Sequence, residues 1–328
     1  MLTIVQNLIT GINGFAASHL CDLLLANGED VIGVARDPSK NENIKHHGDR
    51  VRVLQCDVGS WEEIHQVLSK TRPQRIYHMA SLSYVPTAHL NWREAFQTNV
   101  FGTLHLFEAV REHEIDARIM CVGSSEEYGV IFQEDLPVRE SNPLKPVTLY
   151  GVTKASAGLL ANSFVHREGL DVISVRPFNH TGPRQSDRFV CSSFARQIVE
   201  IELGRRGFLM VGNLDAERDF MDVRDTVKAY RVLMERGDRG GVYNVCSGKT
   251  VSIRNIVDIF RTIAEKPFEV KCETSRFRSE RPVHSYGDHS LLTMRTGWSP
   301  EITLEQSLRD VYLYWKERLT KNQEDKKH

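Results

Sequence analysis

No stretch of this 328-residue chain approaches the roughly 18 apolar residues that a membrane-crossing helix requires, so no membrane-spanning role is expected. Cysteine is scarce and scattered: Cys21, Cys56, Cys121, Cys191, Cys246 and Cys272 form no CxxC pair, which leaves neither a disulfide framework nor a metal site to expect. Excess charge of one sign is also missing. With 42 Lys and Arg against 43 Asp and Glu, the net charge is −1, which excludes a protein whose main task is coating nucleic acid. Repeats and low-complexity tracts are absent, and the opening MLTIVQNLITG has no basic region ahead of its apolar run and no cleavage site. A reducing cytoplasm is the expected compartment. What is present, 41% hydrophobic and 26% charged residues, is the composition of a globular protein long enough for a nucleotide-binding domain and a smaller second one.

Through the first half, short apolar runs (2–9, 30–35, 52–54, 75–79, 118–122) alternate with amphipathic stretches such as the helix pattern over 17–26. That alternation predicts an α/β fold with a doubly wound parallel sheet of Rossmann type, extended by the run 171–176. Beyond residue 180, helical patterns (190–203, 252–264, 304–319) mix with strand-like pieces (208–211, 241–245, 268–271), which predicts a smaller α/β lobe that trades segments with the first.

The first strand runs into Thr10-Gly11-Ile12-Asn13-Gly14-Phe15-Ala16-Ala17, small residues at GxxGxxA spacing. Glycines at 11 and 14 let backbone N–H groups at a helix start approach a pyrophosphate, so Gly11, Asn13, Gly14, Phe15 and Ala16 are candidate contacts to a dinucleotide. At the end of the second strand, where an acidic residue would hold a ribose 2′-hydroxyl, the chain has Ala35-Arg36-Asp37. A guanidinium there suits a 2′-phosphate, so the expected cofactor is NADP(H). Asp57, after the third strand, is placed to accept from the adenine amino group.

Tyr150 and Lys154 stand four apart where a helix should begin, after Pro143 and Pro146, so both side chains share one face. The nearby ammonium is expected to lower the tyrosine pKa toward a value useful for proton transfer. Ser124, at the end of the strand preceding Ser125-Glu126-Glu127-Tyr128-Gly129, supplies a hydroxyl partner. Together they make a hydride-transfer site.

These motifs, with Arg176-Pro177-Phe178-Asn179-His180-Thr181-Gly182-Pro183, resemble the extended short-chain dehydrogenases/reductases over nearly the whole chain. The segments 211–220, 243–248 and 296–300 are similar to its GDP-mannose branch, and Asn-His-Thr-Gly-Pro-Arg-Gln and Ser-Ser-Glu-Glu-Tyr-Gly to the GDP-6-deoxy-4-keto-D-mannose reductases within it. The resemblance implies NADPH-dependent reduction of a 4-keto sugar. Tyr150 would give the proton, Ser124 would hold the oxygen, and Lys154 would bind the nicotinamide ribose. Val58, Ala80, Ser81 and His180 would also contact the cofactor. Ser83, Ser125, Asn179, Val190, Arg218 and Arg281 would contact the GDP-sugar substrate. Glu126 stands where the sister GDP-mannose 4,6-dehydratases place the carboxylate that removes the C5 proton, which keeps dehydration as the alternative. An epimerase or a reductase of a different nucleotide sugar, and a catalytically silent NADP-binding sensor, are further alternatives.

Three departures from the family pattern are Ala17 for the third glycine, His284 for an acid after Arg281-Pro282, and the single Arg36 where dehydratases often double the arginine. The resemblance implies a homodimer through the helices over 150–168 and 91–113. It also implies a division into an NADP-binding domain (1–178, with segments near 219–245 and 283–290) and a nucleotide-sugar-binding domain (179–218, 246–282 and 291–320), with 321–328 as a solvated tail.

Overall fold

Four of the five residues of the first strand, β1 (Gln6–Thr10), are buried, as befits a strand covered on both faces. The computed structural model describes residues 5–83, 90–273 and 285–324. Within them follow β2 (Asp30–Ala35), β3 (Arg52–Gln55), β4 (Arg75–His78), β5 (Arg118–Val122), β6 (Asp171–Pro177), β7 (Asn179–Thr181), β8 (Phe208–Val211), β9 (Glu217–Arg218), β10 (Phe220–Asp222), β11 (Val242–Val245), β12 (Val251–Ser252) and β13 (Glu269–Cys272). Seven of these make one parallel sheet in the order β3-β2-β1-β4-β5-β6-β11. The order reverses between β1 and β4, and a crevice for a ligand opens at such a reversal, beyond the carboxyl ends of the strands.

Helices cover both faces. Helix α1 (Phe15–Ala26) packs with Val223–Arg236 on one side, burying Leu20, Leu24, Val227 and Tyr230. On the other side the helix Gly102–Glu112 packs between α2 (Trp61–Thr71) and Leu149–Glu168, around Ile64, Leu68, Phe107 and Ala161. Local chemistry fixes the ends. Ser60 caps α2 by accepting from the Glu63 amide, with Glu62 and Glu63 in the first turn. Thr148 caps the helix Leu149–Glu168 by accepting from the Gly151 amide, and Gly169 closes it at φ 76°.

The second lobe has its own core, built from Phe194, Leu209, Phe260, Val311 and Trp315. The helices over Val190–Glu202, Ile253–Ile263 and Leu304–Glu324 surround it, with β8 and β13 paired in parallel. The fold class expected from the sequence is therefore the one observed. One detail differs: the last helix continues to Glu324, into the stretch expected as a solvated tail. Arg281 and His284 lie outside the described residues. None of the described helices is long and apolar enough to cross a membrane.

Where β1 and β4 separate, buried polar groups account for one another completely. The Thr10 hydroxyl accepts from the Met79 and Ala80 amides, both at 3.0 Å, so its proton goes to His78 Nδ1 at 3.0 Å. His78 Nε2 must then carry the ring proton, which it donates to the Thr103 hydroxyl at 3.1 Å, and Thr103 donates to the Asn99 carbonyl at 2.7 Å. Burial, helped by the Lys154 charge, holds the His78 pKa down at about 3. The unfolded chain protonates this residue first, near its ordinary value. Stability conferred by neutral His78 is therefore intact at neutral pH and is lost as pH falls, by about 1.4 kcal/mol per pH unit below ~6.5. Urea midpoints measured across that range should show this slope, and His78→Gln should flatten it whatever its effect on absolute stability.

Candidate active site

The glycine turn closes the carboxyl end of β1. Gly11 has φ +69° and donates to the Val34 carbonyl at 2.8 Å, and a Cβ there would lie 2.8 Å from the Ala80 Cα. Only glycine permits that convergence of β1, β2 and β4. Gly14 then starts α1, whose first turn has neither a side-chain cap nor an acidic residue, so its N–H groups face the crevice open to an anion. Phe15 and Ala16 begin the helix, and Ala17, in place of a third glycine, is absorbed into the core. Asn13 donates through Nδ2 to the Asp37 carbonyl at 3.1 Å, while its Oδ1 is buried without a partner. An uncapped helix start beneath a glycine turn fits a dinucleotide pyrophosphate, whereas the unpaired Asn13 Oδ1 beside it is an acceptor and suits a donor such as a ribose hydroxyl.

The crevice continues between Ala35, Arg36, Asp57, Val58, Ala80 and Ser81. Asp57 serves the turn as well, accepting from the Gly59 amide at 2.9 Å. Asp37 points its carboxylate into its own turn, where it accepts from Ser39 and pairs with Lys40 at 3.3 Å. It does not take the place of the acid that would repel a 2′-phosphate. Arg36 lines the crevice and is bonded to Glu94 at 2.8 Å.

Ser124, Tyr150 and Lys154 come together beyond β5. Ser124 caps a short turn over Ser125–Glu127, accepting from the Glu126 amide at 3.2 Å. Lys154 is buried and donates to the Val122 carbonyl at 2.8 Å, with its ammonium 5.9 Å from the Tyr150 ring centroid. Burial raises the Tyr150 pKa above its ordinary value against the pull of the Ser124 hydroxyl, and the Glu126 and Glu127 carboxylates add to the rise. This corrects the expectation that Lys154 lowers it. The reason is physical: the half-buried phenol is partly desolvated and faces two carboxylates, while one Lys154 N–H is committed to a carbonyl and burial lowers the lysine itself. The phenol is thus held protonated, the form in which it donates.

Glu126 accepts from the Thr148 hydroxyl at 3.2 Å and lies close enough to act on the Tyr150 phenol. On the opposite wall, His180 stacks on Phe15 with centroids 5.8 Å apart and planes at 11°. Its Nδ1 donates to the Phe178 carbonyl at 3.0 Å, so Nε2 is the nitrogen left unprotonated in the neutral ring. Asn179 is exposed and donates to the Asp219 carbonyl at 3.0 Å. Arg218 donates to the Glu217 carbonyl at 2.7 Å, while Asp219 is held by Ser247 and Asp222 by Arg224 and Ser307. Val190 starts its helix, Ser125 is half-buried beside Ser124, and Ser83 is exposed.

Sequence reasoning missed the supports of this site. Asn99, in a π-turn over Gln97–Phe101, accepts from the Leu82 amide at 2.8 Å and donates to Thr153 at 2.9 Å, tying the Ser81 segment to the helix of Tyr150. Glu127 is buried, accepts from the Ser124 amide at 2.8 Å and pairs with Arg176 at 2.9 Å. Arg176 in turn donates to the Tyr128 hydroxyl, which donates to Asn244 at 2.7 Å. Arg184 pairs with Asp22 and donates to His19 and the Asn43 carbonyl, which straps the segment after His180 onto α1.

The family model described as GDP-mannose 4,6 dehydratase matches residues 8–311. The chain belongs to this family. With it, the chain belongs to the extended short-chain dehydrogenases/reductases. It is 34% identical over 314 residues to the GDP-6-deoxy-D-mannose reductase of Pseudomonas aeruginosa, covering 95% of this chain and 97% of that protein. To the GDP-mannose 4,6-dehydratase of Vibrio cholerae serotype O1 it is 25% identical over 344 residues, 93% of this chain and 91% of the other. Among solved structures, RMD from P. aeruginosa complexed with NADPH superposes with a TM-score of 0.83 at 32% identity, over 96% of this chain and 99% of that one. Family members of both activities are therefore similar along nearly the full length, and the side chains at the crevice must separate them.

Proposed function

We propose that this chain is an NADPH-dependent reductase of the 4-keto group of a GDP-6-deoxyhexose, turning GDP-4-keto-6-deoxy-D-mannose into GDP-D-rhamnose or its C4 epimer. One observation carries the reading. Ser124, Tyr150 and Lys154 meet beyond the end of β5, in a chain similar over 95% of its length to a GDP-6-deoxy-D-mannose reductase.

Bound NADPH supplies the hydride that adds to the ketone carbon. Tyr150 holds the proton for the ketone oxygen, and burial keeps that proton on the phenol at neutral pH. Ser124 presents its hydroxyl to the same oxygen. Lys154 gives one N–H to Val122 and has two more for a ribose hydroxyl. Gly11, Asn13, Gly14, Phe15 and Ala16 cradle the pyrophosphate, Asp57 and Val58 the adenine end, Arg36 the 2′-phosphate, and Ala80, Ser81 and His180 the nicotinamide end. Arg218 and Asn179 hold the sugar diphosphate, with Ser83, Ser125 and Val190 along the same wall and Arg281 assigned from its motif alone. The division between an NADP-binding lobe and a sugar-binding lobe follows the same line.

Glu126, at the position where dehydratases place the carboxylate that removes the C5 proton and near the Tyr150 phenol, keeps dehydration as the second reading. Supplying GDP-mannose alone, then GDP-4-keto-6-deoxymannose with NADPH, separates them. The reductase consumes NADPH in the second assay and leaves GDP-mannose untouched in the first; conversion of GDP-mannose without net NADPH loss overturns it. A cytoplasmic homodimer completes the proposal, supported by exposed Trp92, Phe101 and Leu159 on the two helices expected to pair.

A further inference from the structure

Arg36 does not wait alone in the crevice. Its Nη1 donates to Glu94 Oε1 at 2.8 Å, and both side chains line the cleft that also contains Ala35, Asp57 and Val58. Glu94 comes from the helix Trp92–Phe96, 58 residues away in the chain, and so is no part of the turn that follows β2. The second cation of that turn, Lys40, is paired with Asp37 at 3.3 Å. Arg36 and Lys40 thus bring two positive charges to the spot, and Asp37, Asp57 and Glu94 bring three negative ones. A 2′-phosphate, carrying more than one negative charge at neutral pH, meets a cluster with no net positive charge and must displace Glu94 to reach the Arg36 fork. A 2′-hydroxyl meets no such opposition, because it carries no charge.

We propose that Glu94 is a specificity-determining residue for the cofactor, a built-in competitor for Arg36 that narrows the preference for a 2′-phosphorylated dinucleotide over its unphosphorylated counterpart. The inference rests on the NADPH reading above. An exposed ion pair is itself weak, so most of the effect comes from repulsion between the Glu94 carboxylate and the phosphate, which survives partial solvent screening because both face one cleft. Removing the charge without changing the shape isolates that repulsion.

The test is calorimetric and needs no turnover: 2′,5′-ADP and 5′-AMP are titrated into the full chain and into Glu94→Gln and Arg36→Ala. Glu94→Gln is expected to tighten 2′,5′-ADP about tenfold and to leave 5′-AMP within about twofold, a contrast of one charge beside a phosphate. The unchanged 5′-AMP affinity also reports that the adenine site is folded. Equal effects on both probes, or none on 2′,5′-ADP, would overturn the role of Glu94. Arg36→Ala keeps the two readings apart. If it weakens 2′,5′-ADP while Glu94→Gln does nothing, only the Glu94 inference fails; if it leaves 2′,5′-ADP unchanged, the assignment of Arg36 to the 2′-phosphate fails, and the Glu94 inference with it.

Discussion

Tyr150→Phe is expected to lower turnover of the 4-keto sugar by about 10³-fold, within the range that a positioned general acid supplies. Binding of NADPH, followed by fluorescence, should stay near that of the parent, because the phenol ring and the buried Lys154 remain in place. The pH profile adds a second check with a definite sign. Burial raises the Tyr150 pKa in the free site, and the protonated phenol is the active form. The rate therefore holds at neutral pH and falls only as pH rises through the elevated value, so the alkaline limb of kcat/KM should lie above the ordinary tyrosine value of about 10. A limb near neutrality would mean that Lys154 dominates the phenol after all. Unchanged turnover in Tyr150→Phe would mean that another group donates the proton and would favour the catalytically silent reading.

Glu127→Ala should be the most damaging single change to stability near the site. It strips the Arg176 guanidinium of its buried partner and the Ser124 amide of its acceptor. Breaking a buried ion pair from one side costs about 3–5 kcal/mol, because the remaining charge is left uncompensated in a poorly solvated place. Urea unfolding measures it. Glu127→Gln keeps an amide oxygen for the Ser124 amide and nearly the same volume, so its loss should be smaller, and its turnover should fall less than that of the alanine variant. Equal losses in the two variants would show that the charge paired with Arg176 is what the residue provides, and that its volume beside Gly123, where any Cβ would overlap this carboxylate, matters little.

The contrast between Glu126 and Glu127 shows what the sequence could and could not tell. Adjacent and chemically identical, they look interchangeable on paper. In the fold one is half-buried at the reacting end of the crevice, and the other is buried under the strand end, paired with an arginine 49 residues away. Nothing local distinguishes them, because the distinction is made by where β5 and β6 lie side by side. The glycine turn, the strands of the parallel sheet and the pair Tyr150 and Lys154 were legible because each depends on a pattern along one stretch of chain, short apolar runs for the strands and one helical turn for the pair. Asn99 was not, since a π-turn inside a helix has no composition of its own. The short strands β7 and β10 were missed for a related reason: three residues each, they exist only through their pairing. The Tyr150 pKa was read in the wrong direction because the ammonium was visible in the sequence and the burial was not.

Deuterium transfer puts the central claim to its most direct test. NADPH carrying deuterium at both positions of nicotinamide C4 is supplied with GDP-4-keto-6-deoxymannose, and the product is read by NMR. One deuterium bound at C4 of the sugar is the predicted result. A product without deuterium at C4, or a sugar that remains a ketone while NADPH is unspent, would contradict it.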